Sequence, residues 1–170
     1  MDKFTKFLKD NKDVFFSFLG AKLLFAVILF ISKATYPQVL GFFDAKHYRL
    51  IAADGYYVDG ATVFFPVIPL IIRYLGDVGL IIINQIAFLA ALFFLKKILI
   101  KLKGEAKVST VLAVVAVSPL ALFTSLEYTE ALFFFLTIFA FYLFAEDKYP
   151  LLLGLVLGLS VATRNTGSLL

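Results

Sequence analysis

The stretch at residues 62–97, "TVFFPVIPLIIRYLGDVGLIIINQIAFLAALFFLKK", decides how the chain is laid out. If it crosses a membrane once rather than twice, everything after it lies on the opposite side. Pro66 and Pro69 fall inside the apolar run 63–72, and Arg73 closes that run short of the ~20 residues that cross a ~30 Å hydrocarbon core. Proline lacks a backbone donor and disfavours helical geometry in the residue before it. Residues 63–75 therefore read as an interfacial or re-entrant segment, and residues 78–95 as a full span.

The flanking sequence supports a membrane protein. Hydrophobic residues make up 62% of the chain and charged residues 16%, well beyond the roughly half apolar content of a soluble domain. Residues 14–32, "VFFSFLGAKLLFAVILFIS", follow Lys3, Lys6, Lys9 and Lys12 as a signal peptide would. The run exceeds a signal core and no small-x-small cleavage site follows, so it reads as an uncleaved first span. Lys22 inside it must snorkel or face the bundle interior. Further spans read as 108–124, 131–145 and 151–162, giving a single all-α domain of about five spans over 1–170. Its extracytoplasmic loop, 33–77, carries short interfacial helices.

Charge orients this arrangement. With the N-terminus in the cytoplasm the inner loops hold Lys3, Lys6, Lys9, Lys12, Lys96, Lys97, Lys101, Lys103, Lys107 and Lys148, whereas the outer ones hold Lys33, Lys46, Arg49, Arg73 and Arg164. That bias follows the positive-inside rule. The net charge of +4 thus reports topology and gives no sign of a nucleic-acid partner. The chain has no Cys and one His, which excludes disulfides and a zinc site built on His alone. Asp44, Asp54, Asp59, Glu127, Glu130 and Arg164 all fall on the extracytoplasmic side, where a site can be assembled.

Within that loop, "GFFDAKHYRLIAADGYY" at residues 41–57 holds most of the polar groups. Residues 42–53 suit a short amphipathic helix with Phe43, Leu50 and Ile51 roughly on one side. Asp44 serves either as its N-cap, with Gly55 as its stop, or as a carboxylate free to act as a base. His47 and Tyr48 lie three and four residues on, close to the same helix face.

These residues resemble the first extracytoplasmic loop of the PIG-V family of mannosyltransferases, within the GT-C class of integral membrane glycosyltransferases. The matching features are Phe43 with Asp44, Tyr48, Ile51 with Ala52, Gly55 with Tyr56, then Phe64, Phe65, Pro66 and Pro69. A second block, "SPLALFTSLEYTEALFFF", looks like the family's proline and Tyr-Thr-Glu loop at Pro119, Tyr128, Thr129 and Glu130. A third, "ATRNTG", is similar to its Thr-Arg-x-x-Gly element at Thr163, Arg164 and Gly167. The family usually has Trp where this chain has Phe43, and GT-C enzymes carry further spans beyond these. The 170 residues are accordingly expected to be a GT-C-like N-terminal half.

The resemblance implies transfer of a hexose, expected to be mannose, from a polyprenyl-phosphate donor to an acceptor hydroxyl outside the cytoplasm. Asp44 would be the general base, with Arg164 and Arg49 as candidates for the donor phosphate. Glu130, Tyr48, His47 and Tyr56 are further candidate substrate contacts. Each has a plainer reading: arginines against lipid headgroups, Glu130 at the positive end of a helix dipole, His47 as an interfacial polar residue. A divalent cation held by Asp44 with Glu127 or Glu130 is chemically open, although no spacing demands one. Expected partners are membrane lipids, the lipid-linked donor, an unidentified acceptor and a second subunit supplying further spans. The alternative is a small transporter or an assembly partner, for which the lysine in the first span and the proline-broken segment speak.

Overall fold

A computed structural model describes residues 2–40, 43–56, 61–103, 106–147 and 149–170. Gly41, Phe42, Tyr57, Asp59 and Lys148, used in the sequence reading, lie outside them. Among the described residues every regular element is helical. The helices are α1 (Lys3–Asp10), α2 (Lys12–Ser32), α3 (Tyr36–Leu40), α4 (Asp44–Asp54), α5 (Val67–Lys103), α6 (Val108–Val117), α7 (Pro119–Phe123), α8 (Glu130–Glu146) and α9 (Pro150–Thr163). Short 3-10 turns occupy Ala61–Val63 and Asn165–Leu169.

Among the described residues two helices are long and apolar enough to cross a membrane, Lys12–Ser32 and Val67–Leu102. The second contains the break expected from sequence. Gly76 takes φ 70 and ψ 177 inside α5, a conformation that glycine reaches without a Cβ penalty, and it separates the proline-bearing first part from the long apolar remainder. Pro66 precedes the helix and Pro69 sits in its first turn, where a missing backbone donor costs no intrahelical bond.

The run at 108–124 is not one helix. Ser118, ahead of Pro119, is extended at φ −65 and ψ 150, so α6 stops at Val117 and α7 restarts at the proline. Another difference concerns Asp44, which lies in the first turn of α4, with Phe43 in the capping position at φ 49 and no side-chain cap bond. There the Asp44 carboxylate faces the positive end of the helix dipole and is not the N-cap. Gly55 ends α4 at φ 79, as the sequence implied.

The chain runs back and forth between two ends of the bundle. Lys96 near the close of α5 pairs with Asp13 at the start of α2 at 2.6 Å, and Lys101 meets Glu146 at the close of α8 at 3.0 Å. At the other end, Arg49 of α4 joins Asp77 to the loop after α7, and Glu130 joins Arg164 after α9. The main apolar core lies among α2, α5, α6 and α8, around Val14, Ala21, Phe88, Leu92, Leu112 and Ala116. A second cluster seats α4 on α5, on both sides of Gly76, through Tyr48, Ala52, Ile68, Ile72 and Leu80. A third joins α8 to α9 through Leu136, Ala140, Leu143 and Val156.

The "GLVLG" pair, a small-xxx-small pattern that permits close helix packing, is not used that way among the described residues. A Cβ on Gly154 or Gly158 would meet nothing within 4 Å.

Candidate functional site

The polar residues gather around the connection 124–129, which runs from α7 to α8. Thr124, Ser125, Leu126, Glu127, Tyr128 and Thr129 are all buried, so this segment needs partners for its backbone as well as its side chains. Asn84, fully buried in α5, donates through Nδ2 to the carbonyls of Leu126 and Tyr128 at 2.9 and 3.0 Å. Gln85 donates to Thr124 O at 3.1 Å, and the Tyr36 hydroxyl to Ser125 O at 2.7 Å. Lys22 donates from α2 to the hydroxyls of Thr124 and Ser125 at 3.2 and 2.9 Å, with its ammonium near the rings of Phe18 and Phe88.

Glu127 is the buried charge of this connection, with none of its surface exposed. Arg49 grips it bidentately, Nε to Oε2 at 2.8 Å and Nη2 to Oε1 at 2.6 Å, and also reaches Asp77 at 3.3 Å. A planar guanidinium fork suits a carboxylate at this geometry. Arg49, expected from sequence as a phosphate contact, is thus engaged by two carboxylates and ties α4 to both α5 and the 124–129 connection.

Asp44, Tyr48, Tyr128, Glu130 and Arg164 form the outward rim of the same end. Arg164 donates to Glu130 at 3.0 Å and lies over the ring of Phe133. Burial raises the Tyr48 phenol strongly, and the negative charges of Asp44 and Glu130 add to that rise; the Thr129 hydrogen bond and Arg164 oppose it. Tyr128 is raised by burial first, then by Asp44, Glu130 and Glu127. Both phenols therefore stay neutral and able to donate, and both feel Asp44 and Glu130 together. Asp44 itself is exposed.

His47 and Tyr56 stand apart from this rim. The His47 ring stacks on Phe64 at 4.8 Å, and the Tyr56 hydroxyl donates to Phe64 O at 2.8 Å, which fixes the turn leading into α5. No three His, Asp or Glu side chains come together as a metal-holding group among the described residues.

Beneath the rim lies an apolar cavity of about 450 Å³, walled by Phe88, Val114, Val115, Leu120, Phe133 and Phe134, with Thr124, Glu130 and Arg164 also lining it. The sequence reading did not single out Asn84, Gln85, Tyr36 or Asp77. The signal for the first two was a polar pair inside an otherwise apolar run, since polar groups at such positions need internal partners. No family model, no curated protein and no solved structure matches the chain.

Proposed function

We propose that this chain belongs to an integral membrane glycosyltransferase of the GT-C kind, which transfers a hexose, by expectation mannose, from a polyprenyl-phosphate donor to an extracytoplasmic acceptor hydroxyl. In this reading α2, the part of α5 after Gly76, α6 with α7, α8 and α9 all cross the membrane, with the N-terminus in the cytoplasm and the rim outside. The observation that carries it is the apolar cavity lined at one edge by Arg164 and Glu130, with an exposed carboxylate, Asp44, on the same rim. That combination suits an amphiphile with an anionic head and a hydrocarbon tail.

The chemistry balances on these residues. Asp44 accepts the proton of the acceptor hydroxyl as its oxygen bonds to the anomeric carbon. The bond from that carbon to the phosphate oxygen breaks, and the phosphate leaves with the electron pair. Arg164 stabilises the growing phosphate charge. Its contact with Glu130 is no obstacle, because the pair is partly exposed, at 45% and 22%, and such pairs are worth about 0–1 kcal/mol. A phosphate can displace Glu130, which then turns to a sugar hydroxyl.

The test is transfer of labelled mannose from polyprenyl-phosphate mannose in membranes carrying the protein as its gene encodes it. Asp44→Asn should lower transfer about 10²- to 10⁴-fold at unchanged protein level. Arg164→Ala should weaken donor retention roughly ten- to a hundred-fold. Undiminished transfer in Asp44→Asn removes that residue from the reaction. Donor carried across the bilayer without transfer would instead favour the transporter reading.

A further inference from the structure

At the end of the bundle away from the rim, α1 is strongly amphipathic. Phe4, Phe7 and Leu8 fall along one face, exposed at 64%, 47% and 38%, while Lys3, Lys6 and Lys9 fall along the other. No residue of α1 is buried. Asn11, at φ −119 and ψ 19, breaks the helix between α1 and α2, and Phe7 stacks on Phe93 of α5 at 5.7 Å. α1 is therefore held at the mouth of the bundle and does not extend α2. Lys3, Lys6, Lys9 and Lys12 take part in no ion pair among the described residues, whereas Lys96 and Lys101 are paired with Asp13 and Glu146.

We infer that α1 is an in-plane anchor that docks on a leaflet of anionic phospholipid, with Phe4 and Leu8 among the acyl chains and Lys3, Lys6 and Lys9 on the headgroups. Three observations select this occupant. Lys3, Lys6, Lys9 and Lys12 outnumber the carboxylates of Asp2 and Asp10 in the same segment, and that excess of positive charge complements an anionic surface. The apolar face sits on the same short helix, opposite the lysines, as on helices that lie in a membrane interface. Beside it, Gly20, Ala113 and Ala116 leave a groove of about 360 Å³ between α2 and α6, with Lys12 also lining it. Its lining is mostly apolar, with Lys12 and Asp13 at one end, which suits an acyl chain whose headgroup stays with the lysines. Each lysine near an anionic surface contributes about a five-fold preference, so three should make α1 respond to lipid charge.

The chain has no Cys, so Phe4→Cys carries a single environment-sensitive fluorophore. The labelled full chain would be reconstituted into phosphatidylcholine vesicles and into vesicles in which about a third of the lipid is phosphatidylglycerol. Quenching by acrylamide, a neutral molecule, reads depth without responding to surface charge. The expected result is blue-shifted emission and several-fold weaker quenching in the anionic vesicles. The difference should shrink in high salt and be lost when Lys3, Lys6 and Lys9 are all changed to Gln. A label at Lys6→Cys, on the opposite face, should stay quenched in both. Equal quenching in the two vesicle types overturns the inference, as does an anionic-lipid effect that survives the triple substitution. Protection that depends on protein density and not on lipid charge would mean that α1 pairs with a second copy, and would overturn it equally.

Discussion

Glu127 is the residue on which the rim depends. Its carboxylate has no exposed surface, and Arg49 satisfies both oxygens. Removing one member of such a pair leaves the other charge buried without compensation, which costs more than the pair itself gains. Arg49→Ala should therefore destabilise the detergent-solubilised protein by about 2 to 3 kcal/mol, below the 3–5 kcal/mol of a fully buried pair because Arg49 is partly exposed. Adding Glu127→Gln to Arg49→Ala should recover part of that loss, because a neutral amide is cheaper to bury unpaired. A double variant no more stable than Arg49→Ala alone would show that Glu127 is not the group Arg49 compensates. The tyrosines give a second residue-scale test. Tyr36, Tyr48 and Tyr128 all have phenols raised in the fold, each by burial first. A raised folded value means that the neutral phenol is the favoured form. The associated stability is fully present below the unfolded value of about 10, and it disappears as pH rises through the folded values. Thermal stability should thus hold to about pH 10 and fall beyond it. Ultraviolet titration of the phenols should show a fraction ionising late, read cleanly because the chain has no Trp.

Glycines decide matters at the scale of the element, and not all of them alike. A Cβ on Gly167 would lie 2.5 Å from the backbone carbon and oxygen of Ser160, so the 3-10 turn at Asn165–Leu169 can fold against α9 only with glycine there. Gly167→Ala should push that turn away, carry Arg164 off Glu130 and lower the melting temperature by several degrees. Gly158→Ala, with nothing within 4 Å of its Cβ, should leave stability unchanged or slightly improved, as helix propensity favours Ala by roughly 1 kcal/mol. Equal behaviour of the two variants would mean that the turn is not packed as described. The same contrast shows what local sequence can reveal. Hydrophobic runs and the turn glycine at Gly55 were legible because they act within a few residues of themselves. The Pro119 break was equally local, yet it was outweighed by the unbroken hydrophobicity of the run. The roles of Gly167, Asn84 and Arg49 were not legible, since each is set by a partner far along the chain. The Glu130 and Arg164 contact joins residues 34 positions apart, and sequence could offer only that both fall on the same side.

For the whole molecule, the separation of the two ends is the feature that ties fold to function. The rim with Asp44 and Arg164 lies at one end, and α1 with the close of α5 lies at the other. Among the described residues, only α2 and α5 meet the length and apolarity of a crossing on their own terms. At ~1.5 Å per residue α8 covers about 25 Å and α9 about 21 Å, short of a ~30 Å core but within what flanking residues and local thinning absorb. If every pass crosses, the side of each connection is fixed in advance. A membrane-impermeant maleimide should then label Lys46→Cys and Asn165→Cys in intact cells. Ala106→Cys and Asp147→Cys should react only after the membrane is opened. The native chain contributes no background because it has no Cys. Asp147 and Asn165 bracket α9, so labelling of both from the same side would mean that α9 does not cross. If both reacted only after the membrane is opened, Arg164 would be parted from the side on which Asp44 lies, and the rim could not serve a lipid-linked donor. Labelling from opposite sides, with Asn165→Cys matching Lys46→Cys, is the arrangement in which a carboxylate base and a phosphate-binding arginine can meet one substrate at one face of the bilayer.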